Sequence, residues 1–140
     1  MTKDVIISIK GLQFTEEENE EVEIVTRGTY YFKNNRHYLL YDELMEGHAA
    51  PIKNTTVFDN TKLEVIKRGS INTRMIFEER KKSITCYEMP FGSLMIATNT
   101  GRVEVTEKED EITARIRYAL DVNYVFVGEC EIVIKVNAIK

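Results

Sequence analysis

The stretch ITARIRYAL, residues 112–120, decides the fold class of this chain. Apolar side chains occupy every second position of it, namely Ile112, Ala114, Ile116, Tyr118 and Leu120. Successive side chains of a β-strand point to opposite faces of the sheet, so strict alternation indicates one buried face. The stretch therefore predicts a half-buried β-strand.

The same alternation continues on both sides of this stretch, in residues 132–138 and 5–9. Further segments rich in β-branched and aromatic residues are 21–33, 36–45, 53–58, 62–68, 71–79, 83–88, 93–99 and 102–107. Turn sequences separate them, namely Asn34-Asn35, Asp59-Asn60, Gly69-Ser70, Asn99-Thr100-Gly101 and the charged run 107–110. These short connections leave no room for crossover helices and favour an antiparallel sheet.

A sheet of this many strands curls into a barrel or splits into a sandwich, and the glycines within strands favour the barrel. Gly11 and Gly28 predict bulges or sharp bends at barrel corners. Residues 73–82 contain good helix formers, yet their alternation favours a strand, and residues 42–50 have room for a helical turn. We predict one all-β domain, residues 1–140, forming an antiparallel barrel of about 8–10 strands.

Composition narrows the range of partners. The net charge is −4, the pI is about 5.3, and the 19 basic residues are dispersed, which argues against nucleic acid. No apolar run is long enough for a membrane helix or a secretory signal, so a cytoplasmic location is expected. Cys86 and Cys130 are therefore predicted to be reduced thiols.

Motifs that would name a reaction are missing. The two histidines, His37 and His48, have no spacing that relates them to a cysteine or to a metal site, and both are predicted to lie on the surface. The acidic run 16–21 is predicted to be a solvated loop. We assign no catalytic residue, no metal and no cofactor from the sequence, and enzymatic activity is not favoured.

The segment YLLYDELM, residues 38–45, places a carboxylate among apolar neighbours. Glu43 shares a strand face with Tyr41, and Asp42 lies on the opposite face with Tyr38 and Leu40, so one carboxylate is aligned with apolar neighbours whichever face is buried. A buried charge requires a partner. Arg68 and Arg117 are the available cations. A glutamate–arginine pair beside tyrosines in the barrel lumen would anchor a ligand, whereas the alternatives are a structural ion pair or two charges in water.

The segment 124–128, sequence YVFVG, carries large apolar side chains between two strong strands. If the segment is a loop, Tyr124 and Phe126 would form a lid or a self-association patch. If the segment is instead the end of the neighbouring strand, Tyr124 and Phe126 would pack as ordinary strand residues.

Several motifs together resemble the YwiB-like family of bacterial proteins, known as domain of unknown function 1934. They are YYFKNNRHYLLYDE (30–43), KRG (67–69), RMIFE (74–78), YEMPFGSLMIATNT (87–100) and RIRYAL (115–120). The resemblance implies a calycin-like barrel, related in shape to lipocalins, and no settled activity. Positions that fall on the family pattern are Tyr41, Glu43, Arg68, Tyr87, Gly92 and Thr98.

These observations lead to the expectation of a cytoplasmic barrel that binds a small, partly apolar molecule in its lumen. The residues predicted to contact it are Tyr41, Glu43, Arg68, Tyr87, Thr98 and Arg117. Two alternatives remain open. One is an interaction or dimerisation module with a filled barrel, and the other is a hydrolase or isomerase that uses a lumen carboxylate of raised pKa.

Overall fold

The computed structural model describes residues 3–11, 23–44, 50–69, 72–89 and 92–139, and all regular structure within these ranges is β-strand. The ten strands are β1 (Lys3–Lys10), β2 (Glu23–Lys33), β3 (Arg36–Glu43), β4 (Ile52–Phe58), β5 (Lys62–Arg68), β6 (Thr73–Glu78), β7 (Lys81–Met89), β8 (Gly92–Glu107), β9 (Glu111–Val122) and β10 (Val125–Ala138). No helix long and apolar enough to cross a membrane is found in these ranges.

The strands form one antiparallel sheet in the order β6-β5-β4-β3-β2-β1-β10-β9-β8-β7. Neighbours in the sheet are neighbours in the chain, except that β1 pairs with β10 and joins the two halves. The sheet curls into a nearly closed barrel, with β6 and β7 as the facing edges. The predicted all-β antiparallel barrel is therefore confirmed, and the strand that contains residues 112–120 is β9.

Side-chain hydroxyls bridge the facing edges of β6 and β7, which we call the seam. Thr85 Oγ1 on β7 donates to the Arg74 carbonyl at 2.8 Å, and Thr98 Oγ1 on β8 donates to the Ile76 carbonyl at 2.7 Å. These bonds give partners to carbonyl groups that a strand edge otherwise leaves unpaired. Side-chain hydrogen bonds thus connect β6 to β7 and β8 at the seam.

Apolar side chains fill the middle of the barrel. Large side chains with almost no exposure come from strands all around it, namely Ile7, Leu39, Leu63, Phe77, Ile96, Ile116, Ile132 and Ile134. Each contributes about 1.5–3 kcal/mol through burial. Because these side chains occupy the centre, space for a ligand is expected at the two ends of the barrel.

Two local predictions are corrected by the structure. The predicted turn at Asn99–Gly101 is a bulge inside the long strand β8, where the register with β9 shifts between Thr100 and Arg102. Gly28 lies in an unbroken register with β1 and forms no bulge. A Cβ at Gly28 would lie 2.6 Å from both the Ile7 side chain and the Leu40 carbonyl, so glycine there permits close packing.

Other local predictions have mixed outcomes. The strand predicted within 73–82 is confirmed as β6, which ends before a turn at Glu79-Arg80. Gly11 has a φ of +87° directly after β1, as expected for a bend. The acidic run 16–21 and most of the segment 42–50, including His48, lie outside the described residues.

Candidate functional site

The two ends of the barrel carry different sets of polar residues. We call them the Glu43 end, where β3 and β5 finish, and the His37 end, where β3 begins and β8 finishes. The sequence predicted a site that corresponds to the Glu43 end. It did not predict the His37 end.

At the Glu43 end, four polar residues form one row across the inner face of four strands. Register pairs Tyr41 with Asn54, Asn54 with Lys67, and Lys67 with Thr73. Directly opposed residues on neighbouring strands lie within side-chain contact, so the row is continuous. Glu43, two residues beyond Tyr41 on the same face, completes the group.

Glu43 is paired with Lys67 and not with an arginine. The Lys67 Nζ lies 2.8 Å from Glu43 Oε1, and the two side chains are only 12% and 9% exposed. Asn54 Nδ2 also donates to Glu43 Oε1, at 3.4 Å. The predicted partnership with Arg68 is wrong, because residues 67 and 68 point to opposite faces of β5 and Arg68 is exposed.

The remaining polar atoms of this row are only partly satisfied. The Tyr41 hydroxyl lies 3.4 Å from Thr56 Oγ1, and burial raises the pKa of Tyr41 to about 12. Asn54 Oδ1 and Thr73 Oγ1 are buried and have no hydrogen-bond partner among the described residues. Buried polar atoms normally have partners, so this row has capacity to bind water or a polar group.

The other predicted site residues lie elsewhere. Thr98 is buried at the seam, and its hydroxyl is already bonded to the Ile76 carbonyl. Arg117 is on the outer face of β9, 73% exposed, and pairs with Glu131 at 3.0 Å, so its predicted place in the lumen is wrong. The backbone of Tyr87 pairs with Leu94, and its side chain lies outside the described part of the chain.

Gly92, the remaining position on the family pattern, begins β8 and pairs with Met89. Its φ of +145° is readily adopted by glycine alone. Gly92 therefore has a backbone role and offers no side chain to a site.

The His37 end contains a cavity of about 340 Å³. Its wall combines apolar and polar side chains, with contributions from Lys3, Val5, Tyr30, Phe32, His37, Glu107, Lys108, Glu109, Asp110, Glu111, Ile112, Val136 and Ala138. A second hollow of similar volume lies beside it and shares Phe32, His37 and Glu107 with the first. His37 therefore lies between two open spaces.

Both ring nitrogens of His37 are bonded. The Tyr30 hydroxyl lies 2.9 Å from Nδ1, and Glu107 Oε1 lies 2.7 Å from Nε2. An ionised carboxylate only accepts hydrogen bonds, so Nε2 carries the proton. In the neutral ring Nδ1 is then an acceptor, and the Tyr30 hydroxyl donates to it.

Burial holds His37 in its neutral form. Desolvation lowers the pKa of His37 below 6.5, and the charges of Glu107 and Asp59 only partly oppose this. Desolvation also raises the pKa of Tyr30, with a smaller contribution from Glu107. The chain of hydrogen bonds from Tyr30 through His37 to Glu107 is therefore neutral at both ring and phenol near pH 7.

Aromatic rings fix the His37 ring in place. The ring of Phe58 stacks on it with centroids 4.8 Å apart, and the ring of Phe32 is tilted against it at 5.0 Å. His37 is only 6% exposed, so the prediction of a surface histidine is wrong. One signal indicated the inner face, since position 37 alternates with Leu39 and Tyr41 along β3.

The predicted lid or interface segment forms the tip of the β9–β10 hairpin. Tyr124 lies in the turn and is 82% exposed, while Val125, Phe126 and Val127 are also exposed. Asn123 anchors the tip, because its backbone amide donates to the Met95 carbonyl and its side chain accepts from the Met95 amide. The tip is thus held through Asn123, by its backbone and its side chain, and presents apolar side chains to solvent.

Metal and thiol chemistry have few candidates. Within the described ranges, no group of three or more His, Cys, Asp or Glu side chains could hold a metal ion. Cys86 is an exposed free thiol and Cys130 a half-buried one. Burial raises the pKa of the Cys130 thiol, which disfavours the reactive thiolate.

The geometry defines a class of protein: a small antiparallel β-barrel, packed solid in its middle, with a polar group of residues at each end. The family model described as "Domain of unknown function (DUF1934)" matches residues 7–134, and the chain belongs to this family. A relative is the uncharacterized beta-barrel protein YwiB of Bacillus subtilis (strain 168), which is 27% identical over 119 residues. That match covers 85% of this chain and 81% of the relative.

A solved structure confirms the architecture. The crystal structure of the YwiB protein from Bacillus subtilis superposes with a TM-score of 0.76 at 23% sequence identity. The superposition covers 99% of this chain and 94% of the other. The similarity establishes the fold.

Proposed function

We propose that this barrel binds a small, partly apolar molecule at its His37 end. The observation that carries the proposal is the cavity of about 340 Å³ with a buried, doubly hydrogen-bonded histidine in its wall. Small-molecule sites are concave, mostly apolar and equipped with a few fixed polar groups. The cavity has these features, since Val5, Ile112 and Val136 surround the polar chain of Tyr30, His37 and Glu107.

The size of the cavity limits the ligand. Sites for small molecules span roughly 300–1,000 Å³, so this one lies near the lower bound. The packed middle of the barrel prevents a long chain from extending through the lumen. The expected ligand is therefore compact and is bound at the mouth.

The Glu43 end is a second candidate position for the ligand. It is favoured by the unpartnered atoms Asn54 Oδ1 and Thr73 Oγ1 beside the Glu43–Lys67 pair. Tyr41 and Glu43 from the sequence-based site would contribute there, with Lys67 in place of an arginine. The cavity of about 340 Å³ lies at the His37 end, so we rank the Glu43 end below it.

The first experiment is native mass spectrometry of the gently purified protein, compared with its denatured mass. We expect a reproducible additional mass that denaturation releases. Ala138→Trp, which fills the cavity at the end of β10, should abolish it. Asn137→Trp, on the outer face of the same strand, should retain it and serves as the matched control.

Two results would count against this site. If Ala138→Trp retains the additional mass and Lys67→Met loses it, the ligand is at the Glu43 end. If the wild type shows only its bare mass and no small molecule from a broad panel raises its melting temperature, ligand binding is contradicted.

Self-association is a second candidate function. It is favoured by the four consecutive apolar side chains from Tyr124 to Val127 that the hairpin tip exposes. Such patches are common at protein interfaces. The proposed occupant is a second copy of this chain.

A further inference from the structure

We infer that the ligand of the His37 end carries a protonated amine, bound between the Glu107 carboxylate and the Tyr30 hydroxyl oxygen. The inference rests on the proposed function and specifies its ligand class. Three independent features of the cavity support it: the direction of its hydrogen bonds, the charges of its lining and the aromatic ring at its rim.

After the hydrogen bonds among Tyr30, His37 and Glu107 are formed, these three residues have only acceptor atoms left to offer to the cavity. The Tyr30 proton is used by His37 Nδ1, and the His37 proton is used by Glu107 Oε1. The Tyr30 oxygen retains lone pairs, and Glu107 retains Oε2, on a side chain that is more than half exposed. A ligand group that meets both atoms must therefore donate hydrogen bonds.

The lining charges favour a cation. Among the residues that line the cavity, the acidic ones Glu107, Glu109, Asp110 and Glu111 outnumber the basic ones Lys3 and Lys108. His37 adds no charge in its neutral form. In a partly enclosed space, this excess of negative charge raises the local concentration of cations and repels anions.

An aromatic ring at the rim suits the apolar part of such a ligand. Phe32 is 48% exposed, and its ring contacts His37. An exposed ring face attracts an ammonium group or stacks on an aryl group. The combination indicates an amine with a short aromatic or aliphatic body.

Three small probes with the same phenyl ring and similar size test this inference. Phenethylammonium has the charge and the N–H donors, phenethyl alcohol has one donor without charge, and phenylacetate has the opposite charge. We expect titration calorimetry near neutral pH to show that phenethylammonium binds at least about tenfold more tightly than either of the other probes. Only phenethylammonium can form a charge-assisted hydrogen bond with the Glu107 carboxylate, and such bonds are stronger than neutral ones.

A matched pair of variants locates the binding. Glu107→Gln keeps an oxygen to accept from His37 and removes the charge, so phenethylammonium should bind about tenfold more weakly. Glu104→Gln removes a carboxylate on the outer face of the same strand, where it pairs with Arg102. That variant should bind phenethylammonium as the wild type does.

Each contrary result is specific. Tighter binding of phenylacetate or of phenethyl alcohol overturns the amine assignment and leaves ligand binding at this end intact. Equal effects of Glu107→Gln and Glu104→Gln overturn the assigned position. If no probe binds, or if the molecule released in native mass spectrometry lacks a basic nitrogen, the inference is wrong, whereas the proposed function fails only when nothing is released and nothing binds.

Discussion

At the scale of single residues, the Glu43–Lys67 pair shows how the barrel holds charge inside. Both side chains are about nine-tenths buried, and Asn54 orients the carboxylate with a further hydrogen bond. Because burial removes the hydration of both charges, their attraction adds little to the free energy of unfolding. Removal of one partner is nevertheless costly, because the other charge is left buried and unpaired.

Lys67→Met should therefore lower the free energy of unfolding by about 3 kcal/mol. Combining it with Glu43→Leu should recover most of that loss, because both charges are then gone. Arg68→Met, the neighbouring exposed position, is the control and should stay within about 0.5 kcal/mol of the wild type. Urea unfolding measures all four proteins, and equal effects of Lys67→Met and Arg68→Met would contradict a buried pair.

His37 makes stability depend on pH in a defined direction. Its folded pKa is lowered below 6.5, so the unfolded chain binds more protons as the pH falls through this value. Stability is therefore lost as the pH falls from 6.5 towards the lower folded pKa. Asp59 and Glu64, whose pKa values are lowered because hydrogen bonds outweigh their burial, lose their contributions only further into acid.

His37→Gln should flatten the stability profile between pH 6.5 and pH 4.5, the ordinary pKa values of histidine and glutamate. Chemical unfolding at several pH values provides the measurement. His48→Gln removes the other histidine and should keep the wild-type slope. A variant at position 37 with an unchanged slope would show that the buried ring is not responsible.

At the scale of secondary-structure elements, the seam decides how the barrel closes. β6 and β7 follow each other in the chain and could have formed a ladder, but hydroxyl groups from Thr85 and Thr98 take the β6 carbonyls instead. Two inner threonines of β8 can be compared directly. Thr98 is bonded at the seam, whereas the Thr100 hydroxyl is buried without a partner among the described residues.

Thr98→Val should lower the free energy of unfolding by about 1–2 kcal/mol, because it leaves the Ile76 carbonyl without its partner. Thr100→Val should be neutral or slightly stabilising, since it removes a buried hydroxyl with no described bond. Both changes keep the shape of the side chain, and both sites are buried. Equal urea midpoints for the two variants would contradict the role of the seam hydroxyls.

At the scale of the whole molecule, the interior of the barrel is its apolar core, and the ends and outer surface carry the groups that can contact other molecules. The apolar core occupies the middle, the polar groups lie at both ends, and the β9–β10 tip extends apolar side chains into solvent. The His37 cavity and this tip lie at opposite ends of the barrel. Ligand binding and self-association can therefore be tested separately.

If the tip mediates self-association, light scattering coupled to size exclusion should give twice the 16.3 kDa of the chain. Phe126→Glu, which places a charge in the exposed apolar patch, should give the monomer mass. Thr106→Glu adds the same charge at an exposed position of β8 and should leave the dimer intact. A wild type that stays monomeric at high concentration would remove this candidate.

The sequence predicted more of the fold than of the site. Alternation along residues 112–120 and their counterparts predicted the strands, and short connections predicted the antiparallel barrel. The same alternation placed Tyr41 and Glu43 on one face of their strand, and the structure shows that this face is the inner one. The cation was wrongly chosen, because Lys67 and Arg68 differ only in which face of β5 they occupy once its register is known.

The sequence by itself thus determined the class of fold, because strand periodicity and turn residues are local properties of the chain. The tertiary structure alone decided that Lys67 meets Glu43, that Thr98 closes the seam and that His37 is bonded between Tyr30 and Glu107. These partners come from different strands, and their meeting depends on the register and curvature of the whole barrel. Turn geometry and the alternation of apolar residues restrict the register of each strand pair, but which side chains meet across several strands is decided only when all strands bury the same face together.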